Sequence, residues 1–160
     1  MMPFLLTYEE TIMKKTLLLT CLFTFGLTSF MNAAAANETA AQAITVKTPE
    51  VRLYPTEANS AEAFMDLQNA SNKSYALVAA STPVDKETQL HKTIVKNGIA
   101  SMVQIKKISI PADKDETLKF GGIHVMLIGL KEALKANMMV PITLKFDDGS
   151  VLVVNAKVVK

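Results

Sequence analysis

The sequence predicts an all-β fold, an antiparallel β-sandwich or barrel, on three observations. From Ile44 onward, short alternating or continuous apolar runs are divided by turn residues at regular intervals. No long helical pattern interrupts them. Asn97-Gly98 stands between two alternating runs. That pair is a strong hairpin signal, because a type I′ turn needs positive φ at both central positions.

The first third of the chain reads differently. Met13-Lys14-Lys15 is basic, Thr16 to Phe30 is uncharged and mostly apolar, and Met31-Asn32-Ala33-Ala34-Ala35-Ala36 is a small-residue run. This is the layout of a secretory signal peptide, and the apolar stretch is short for a transmembrane helix. Residues 1–36 are therefore expected to be a signal peptide. Met13 reads as the natural start, since Glu9 and Glu10 precede the basic pair. The competing reading is a retained membrane anchor. Export to the periplasm, with no stable membrane insertion after cleavage, is the expectation. Residues 37–43 read as a loose, Ala-rich leader, and residues 44–160 as one domain.

Within that domain, Ile44-Thr45-Val46 and Val51-Arg52-Leu53 are two short strand-like runs, closed by Pro55 and the polar Thr56 to Ser60. Ala61 to Leu67 alternates, and Asn69 to Lys73 is a turn. Tyr75 to Ala80 is a strand that Ser81-Thr82-Pro83 breaks. Gln89 to Val95 and Ile99 to Ile105 make the hairpin around Asn97-Gly98. Ile108-Ser109-Ile110 follows. The charged Asp113 to Glu116 is expected as a solvated loop before Thr117 to Phe120. Gly121-Gly122 permits a sharp bend into a strand from Ile123 to Ile128, and Leu130 to Leu134 is compatible with a helical turn. Pro141 to Phe146 and Val151 to Val159 are the last strands, joined through Asp147-Asp148-Gly149.

Composition narrows the function. Cys21 is the only cysteine and lies in the apolar run. Thr20 and the short stretch before Cys21 fit a lipid-attachment site poorly. Signal removal would leave no thiol for a disulfide, a nucleophile or a thiolate metal site. Without the two lysines and two glutamates of residues 1–36, residues 37–160 keep 15 basic and 13 acidic residues, a net charge of +2. That balance, with scattered lysines, excludes a nucleic-acid binder. Two histidines and no usable cysteine leave no catalytic triad to assign, so no enzyme activity is expected. A blue-copper electron carrier would need a cysteine ligand.

Each of the two histidines is close in sequence to a methionine: His91 with Met102 across the hairpin, and His124 with Met126 at i and i+2. A two-residue turn at Asn97-Gly98 pairs His91 with Gln104, so Met102 shares the face of His91 as a diagonal neighbour. His124 and Met126 share a strand face. Two imidazoles and two thioethers are neutral, soft donors that favour Cu(I). A methionine in a strand is more often core filler, as Met65 is expected to be, and a lone histidine is more often hydrogen-bonded than ligating. Both readings stand on pattern alone.

At these residues the chain resembles the periplasmic PCu(A)C copper chaperone family. His91, ten residues, Met102, twenty-one residues, His124, Val125 and Met126 match the family's spacing without a gap. The surroundings Gly121 to Lys131 and Val140 to Phe146, the early Val51-Arg52, and Ser81 with Pro83 are also similar. Two positions depart: Glu50 stands where the family usually has Trp, and Gln89 where it often has Glu. The resemblance implies a cupredoxin-like Greek-key β-sandwich holding one Cu(I) on His91, Met102, His124 and Met126. It implies delivery to an apo acceptor such as the Cu(A) subunit of cytochrome c oxidase, with another copper chaperone as a further partner, and a monomer is expected. Two readings stand beside it: copper sequestration for tolerance, and a secreted β-sandwich that binds protein with incidental His and Met.

Overall fold

The computed structural model describes residues 38–53 and 59–159. The expected signal segment, with Met13 and Cys21, and the break at Pro55 lie outside these residues. The strands are β1 Ile44–Leu53, β2 Ser60–Asn69, β3 Tyr75–Ser81, β4 Glu87–Lys96, β5 Ile99–Gln104, β6 Ile108–Ile110, β7 Lys114–Leu118, β8 Ile123–Ile128, β9 Met139–Phe146 and β10 Val151–Val159. A single helical turn, α1, spans Ala40–Ala43. The strands hydrogen-bond in the order β5-β4-β8-β2-β1-β10-β9-β3-β6, and β7 adds to β2 beside β8. The sheet folds over on itself, so that β3 packs against β4 and β6 against β7. Leu67, Leu77, Val125, Leu127, Ile142 and Phe146 are among the apolar side chains enclosed between the two layers.

The hairpin β4–β5 follows from its turn. Asn97 and Gly98 take φ of 53° and 77°, as a type I′ turn demands. The register then runs from Lys96 opposite Ile99 to His91 opposite Gln104.

Several segments differ from the sequence expectation. The pairings are antiparallel except one: β1 runs parallel to β10, from Glu50–Lys157 to Arg52–Val159. The two early runs are one strand, because the register slips between Lys47 and Glu50. That bulge, with Thr48 at φ 45°, absorbs Pro49, which could not donate to a regular ladder. The charged run from Lys114 is strand β7 rather than a loop. It pairs with β2, and Gln68 Nε2 donates to Asp115 Oδ2 at 3.0 Å. Leu130 to Leu134 forms no helix. Its backbone is tied to Asn59 and Val84, and Leu134 is buried.

Residues 38–43 are docked rather than loose. The Thr39 amide and hydroxyl both donate to Gln42 Oε1, at 3.0 and 3.1 Å. The next two amides donate to the β9–β10 turn: Ala40 to Asp148 Oδ2 at 2.7 Å and Ala41 to Ser150 Oγ at 3.0 Å. The unsatisfied donors at the start of α1 thus find side-chain acceptors, and Ala40 and Ala43 are buried.

One polar side chain fixes the far end of β2. Asn69 is buried, and its amide donates to the carbonyls of Lys73, Ile110 and Pro111. Its Oδ1 accepts from the Ser71 amide and hydroxyl. Removing this side chain leaves several buried groups without partners, each costing about 1–3 kcal/mol. Asn69→Ala is expected to lower stability in chemical denaturation by about 2–3 kcal/mol. A loss within error of zero would show that water replaces the side chain at no cost.

Candidate metal centre

The site is built by strand registers. In β4–β8, His91 lies directly opposite His124 and Gln89 opposite Met126. On the other edge of β8, Met126 lies opposite Glu62 of β2. In β4–β5, Thr93 lies opposite Met102. Side chains alternate along a strand. So Met102, His91, His124, Met126 and Glu62 all project from one face, while Leu90, Val125 and Leu127 point from the other into the core.

The two imidazole rings meet edge to face, with centroids 5.8 Å apart. Each ring is pinned through one nitrogen. Gln89 Oε1 accepts from His91 Nε2 at 2.7 Å, and Gln89's own amide nitrogen donates to Glu87, which fixes its orientation. The Gly122 carbonyl accepts from His124 Nδ1 at 3.2 Å and also from the Thr93 amide. These bonds set the tautomers: in the neutral rings the lone pairs lie on His91 Nδ1 and His124 Nε2. Both of those nitrogens are buried and find no hydrogen-bond partner among the described residues. A buried polar atom without a partner costs about 1–3 kcal/mol, which a ligand at that position offsets.

Exposure is graded across the face. His124 is 1% exposed and Met126 8%, His91 is half-buried, and Met102 is 38% exposed. Met102 lines a shallow hollow with Thr93, Ala100, Ser101, Phe120 and Gly121. It shares its level with Thr93, whereas Met126 shares its level with Gln89, four residues away along β4. That is about 13 Å in a straight strand. The structure therefore sets His91, His124 and Met126 at adjoining positions and leaves Met102 diagonal to His91, at the rim. Met65 is core, packed with Leu67 and Val125.

Sequence reasoning passed over Glu62. Its side chain is 2% exposed, and its Oε1 lies 3.8 Å from His124 Nε2. A charged residue between Ala61 and Ala63 was visible, but its neighbour is set by the β2–β8 pairing, which links residues far apart in sequence. Among the described residues no group of three or more His, Cys, Asp and Glu converges.

Residues 44–158 match the family described as "Putative lipoprotein LpqE-like". The chain belongs to the LpqE-like family. A relative from Leifsonia xyli subsp. xyli, "Putative lipoprotein Lxx21020", is 39% identical over 89 residues, or 55% of this chain. The match spans 54% of that relative's length, about half. The solution structure of CuI-DR1885 from Deinococcus radiodurans is 38% identical, with a TM-score of 0.59, over 78% of this chain and 85% of that one. The copper-bound PCuAC domain from PmoF2 shares the fold, with a TM-score of 0.62 at 20% identity, over 76% and 96% of the two chains. The all-β, cupredoxin-like architecture expected from the sequence is the one observed. Among the described residues no helix is long and apolar enough to cross a membrane.

Burial pushes the His91 imidazole below the ordinary histidine range, and the neighbouring His124 adds to the shift. Burial does the same to His124, opposed by its bond to the Gly122 carbonyl. Both shifts favour the neutral rings in the fold. Below about pH 6.5 the unfolded chain binds protons that the folded one refuses, so this contribution to stability falls as pH drops from about 6.5 through the folded values. Above that range it is constant. The apo protein is expected to lose stability on acidification through this window. The loss should be shallower in the His91→Gln, His124→Gln double variant, as read by denaturation midpoints across pH. Equal slopes in the two proteins would mean that the imidazoles are not the groups responsible.

Proposed function

We propose that this chain is a copper(I) carrier that binds one Cu(I) through His91, His124, Met126 and Met102 and hands it to an apo acceptor protein. The observation that carries the reading is the pair of buried imidazole lone pairs without hydrogen-bond partners, on His91 Nδ1 and His124 Nε2, beside the thioether of Met126. Gln89 and Gly122 hold the opposite nitrogens, which fixes ring orientation before the ion arrives. Thioethers select Cu(I) and are poor partners for zinc or magnesium, whereas imidazole serves copper and zinc alike, so the two methionines carry the preference. The 38% identity to a protein solved with CuI supports the same cargo.

The grading of exposure gives the carrier a direction. His124 and Met126 lie on β8, which is paired on both sides. Met102 lies on β5, at the edge of the sheet, and is open to solvent. Copper exchange then proceeds on the β5 side: an acceptor's ligand displaces Met102 while the β8 ligands still hold the ion. The acceptor envisaged is the Cu(A) subunit of cytochrome c oxidase or another periplasmic copper protein, reached after export behind residues 1–36. A putative-lipoprotein relative supports export. Assay of oxidase activity during growth on limiting copper separates delivery from sequestration.

Titration of the full chain with Cu(I) against a competing chelator tests the core of the reading. One equivalent is expected to bind, in preference to Zn(II). Met126→Leu is expected to weaken Cu(I) binding more than Met102→Leu, because Met126 is buried next to both imidazoles. Met65→Leu should be silent. Leu and Met are close in volume, so each swap should change apo stability by less than ~1.5 kcal/mol. Wild-type copper affinity in the Met102→Leu, Met126→Leu double variant would return these residues to a packing role.

A further inference from the structure

We infer that the open edge of β5 is the docking site of the acceptor, which adds an extended, acidic segment as a further strand beside Ile99–Gln104. The inference rests on the copper-carrier reading and names how its partner engages. β5 ends the strand order, and among the described residues it pairs only with β4. Its six residues are all exposed. Exposed edges are ordinarily protected by charge, proline, a bulge or shortness. The far edge strand, β6, is three residues long, and β7 carries Lys114, Asp115 and Glu116. β5 has none of these devices: Ile99–Gln104 is neutral and proline-free, and its register with β4 is unbroken.

The hydrogen-bond pattern shows which groups are offered. The Ile105 amide donates to the Leu90 carbonyl at 2.8 Å. Bonded pairs alternate in an antiparallel ladder, so Val103, Ser101 and Ile99 also bond inward to β4. The N–H and C=O groups of Ala100, Met102 and Gln104 therefore point outward, along the open edge. Met102 is thus a site-face side chain whose own backbone would join the added strand. A side chain directly opposite it lies about 4.5–5.5 Å away between Cβ atoms, close enough for a ligand of the acceptor to take over from its thioether.

Charge decides the partner. From Thr88 to Ala112 there are four lysines, Lys92, Lys96, Lys106 and Lys107, and no Asp or Glu. All four are exposed, and none makes an ion pair among the described residues. Lys92 and Lys96 lie opposite Val103 and Ile99. They stand two strand spacings, about 9–10 Å, from the matching positions of an added strand, within the joint reach of lysine and glutamate side chains. A second copy would bring the same lysines to the seam and be repelled. A lipid surface would leave the outward backbone groups without partners.

The probe is the peptide acetyl-Thr-Thr-Glu-Met-Val-Thr-Glu-amide, whose antiparallel register sets Met opposite Met102 and the glutamates opposite Val103 and Ile99. It is added to the full chain without copper, and amide exchange is read by NMR. At near-saturating peptide, exchange at Ala100, Met102 and Gln104 is expected to slow about tenfold, with Ile99, Ser101 and Val103 unchanged. The same peptide with lysine in place of glutamate should have no effect. Ala100→Pro, which removes an outward N–H and leaves the ladder to β4 intact, should abolish the slowing. Where that variant does not fold, the Lys92→Glu, Lys96→Glu double variant should exchange the preference between the two peptides. Unchanged exchange, equal binding of both peptides, a dimer in sedimentation that protects the same amides, or protection by phosphatidylglycerol vesicles in place of peptide each overturns the inference. Cu(I) binding is titrated separately. Peptide binding without Cu(I) binding overturns the carrier reading and leaves the docking edge, whereas Cu(I) binding with unchanged exchange overturns only the docking edge.

Discussion

The register between β4 and β8 is the constraint on which the site depends. His91 opposite His124 places two imidazoles on one face and, by alternation, Leu90, Val125 and Leu127 on the other. A slip of one residue would put the histidines into the apolar core and the leucines outside. The cost of burying two imidazoles while exposing that apolar set fixes the register. The bend before β8 reinforces it. Gly121 takes φ 70°, and the Gly122 carbonyl accepts from both the Thr93 amide and His124 Nδ1. A single backbone oxygen thus joins the strand ladder to the orientation of a candidate ligand.

The stability of the face and its chemistry pull in opposite directions. The pocket buries two ring nitrogens with no hydrogen-bond partner among the described residues, an arrangement that costs free energy without cargo. The surrounding core supports that cost: β8 is paired on both edges, and its inward residues lie among fully enclosed aliphatic side chains. The face is consequently enclosed where the sheet is continuous and open where it ends. His124 and Met126 on β8 sit in the interior, and Met102 on β5 sits on a strand whose six residues are all exposed.

What could be read from the sequence was local. Asn97-Gly98 set a turn and, through it, the pairing of His91 with Gln104. Alternation and turn residues gave most strands. The rest depended on pairings between distant segments. Pro49 divided β1 in the sequence, yet a bulge against β2 keeps it whole. The charges of Lys114 to Glu116 indicated a loop, but β2 offered an open edge to pair with, and charge is common on such added strands. Residues 38–43 looked featureless until the β9–β10 turn, a hundred residues on, supplied their acceptors. The four His and Met positions could be named from spacing alone. Their unequal burial could not, since it comes from which strand lies at the edge.

Glu62 shows the same limit in its sharpest form. In sequence it is one acidic residue in an alternating run. In the fold it is a buried carboxylate on the third strand of the His/Met face, 3.8 Å from His124 Nε2. On the proposed carrier reading, holding the ion and releasing it fall on different strands. His124 and Met126 lie on β8, an interior strand that cannot move without disturbing two ladders. Met102 lies on the edge strand β5, which is held by a single ladder. The position of each side chain in the strand order, rather than its chemical type, then sets how freely it can withdraw.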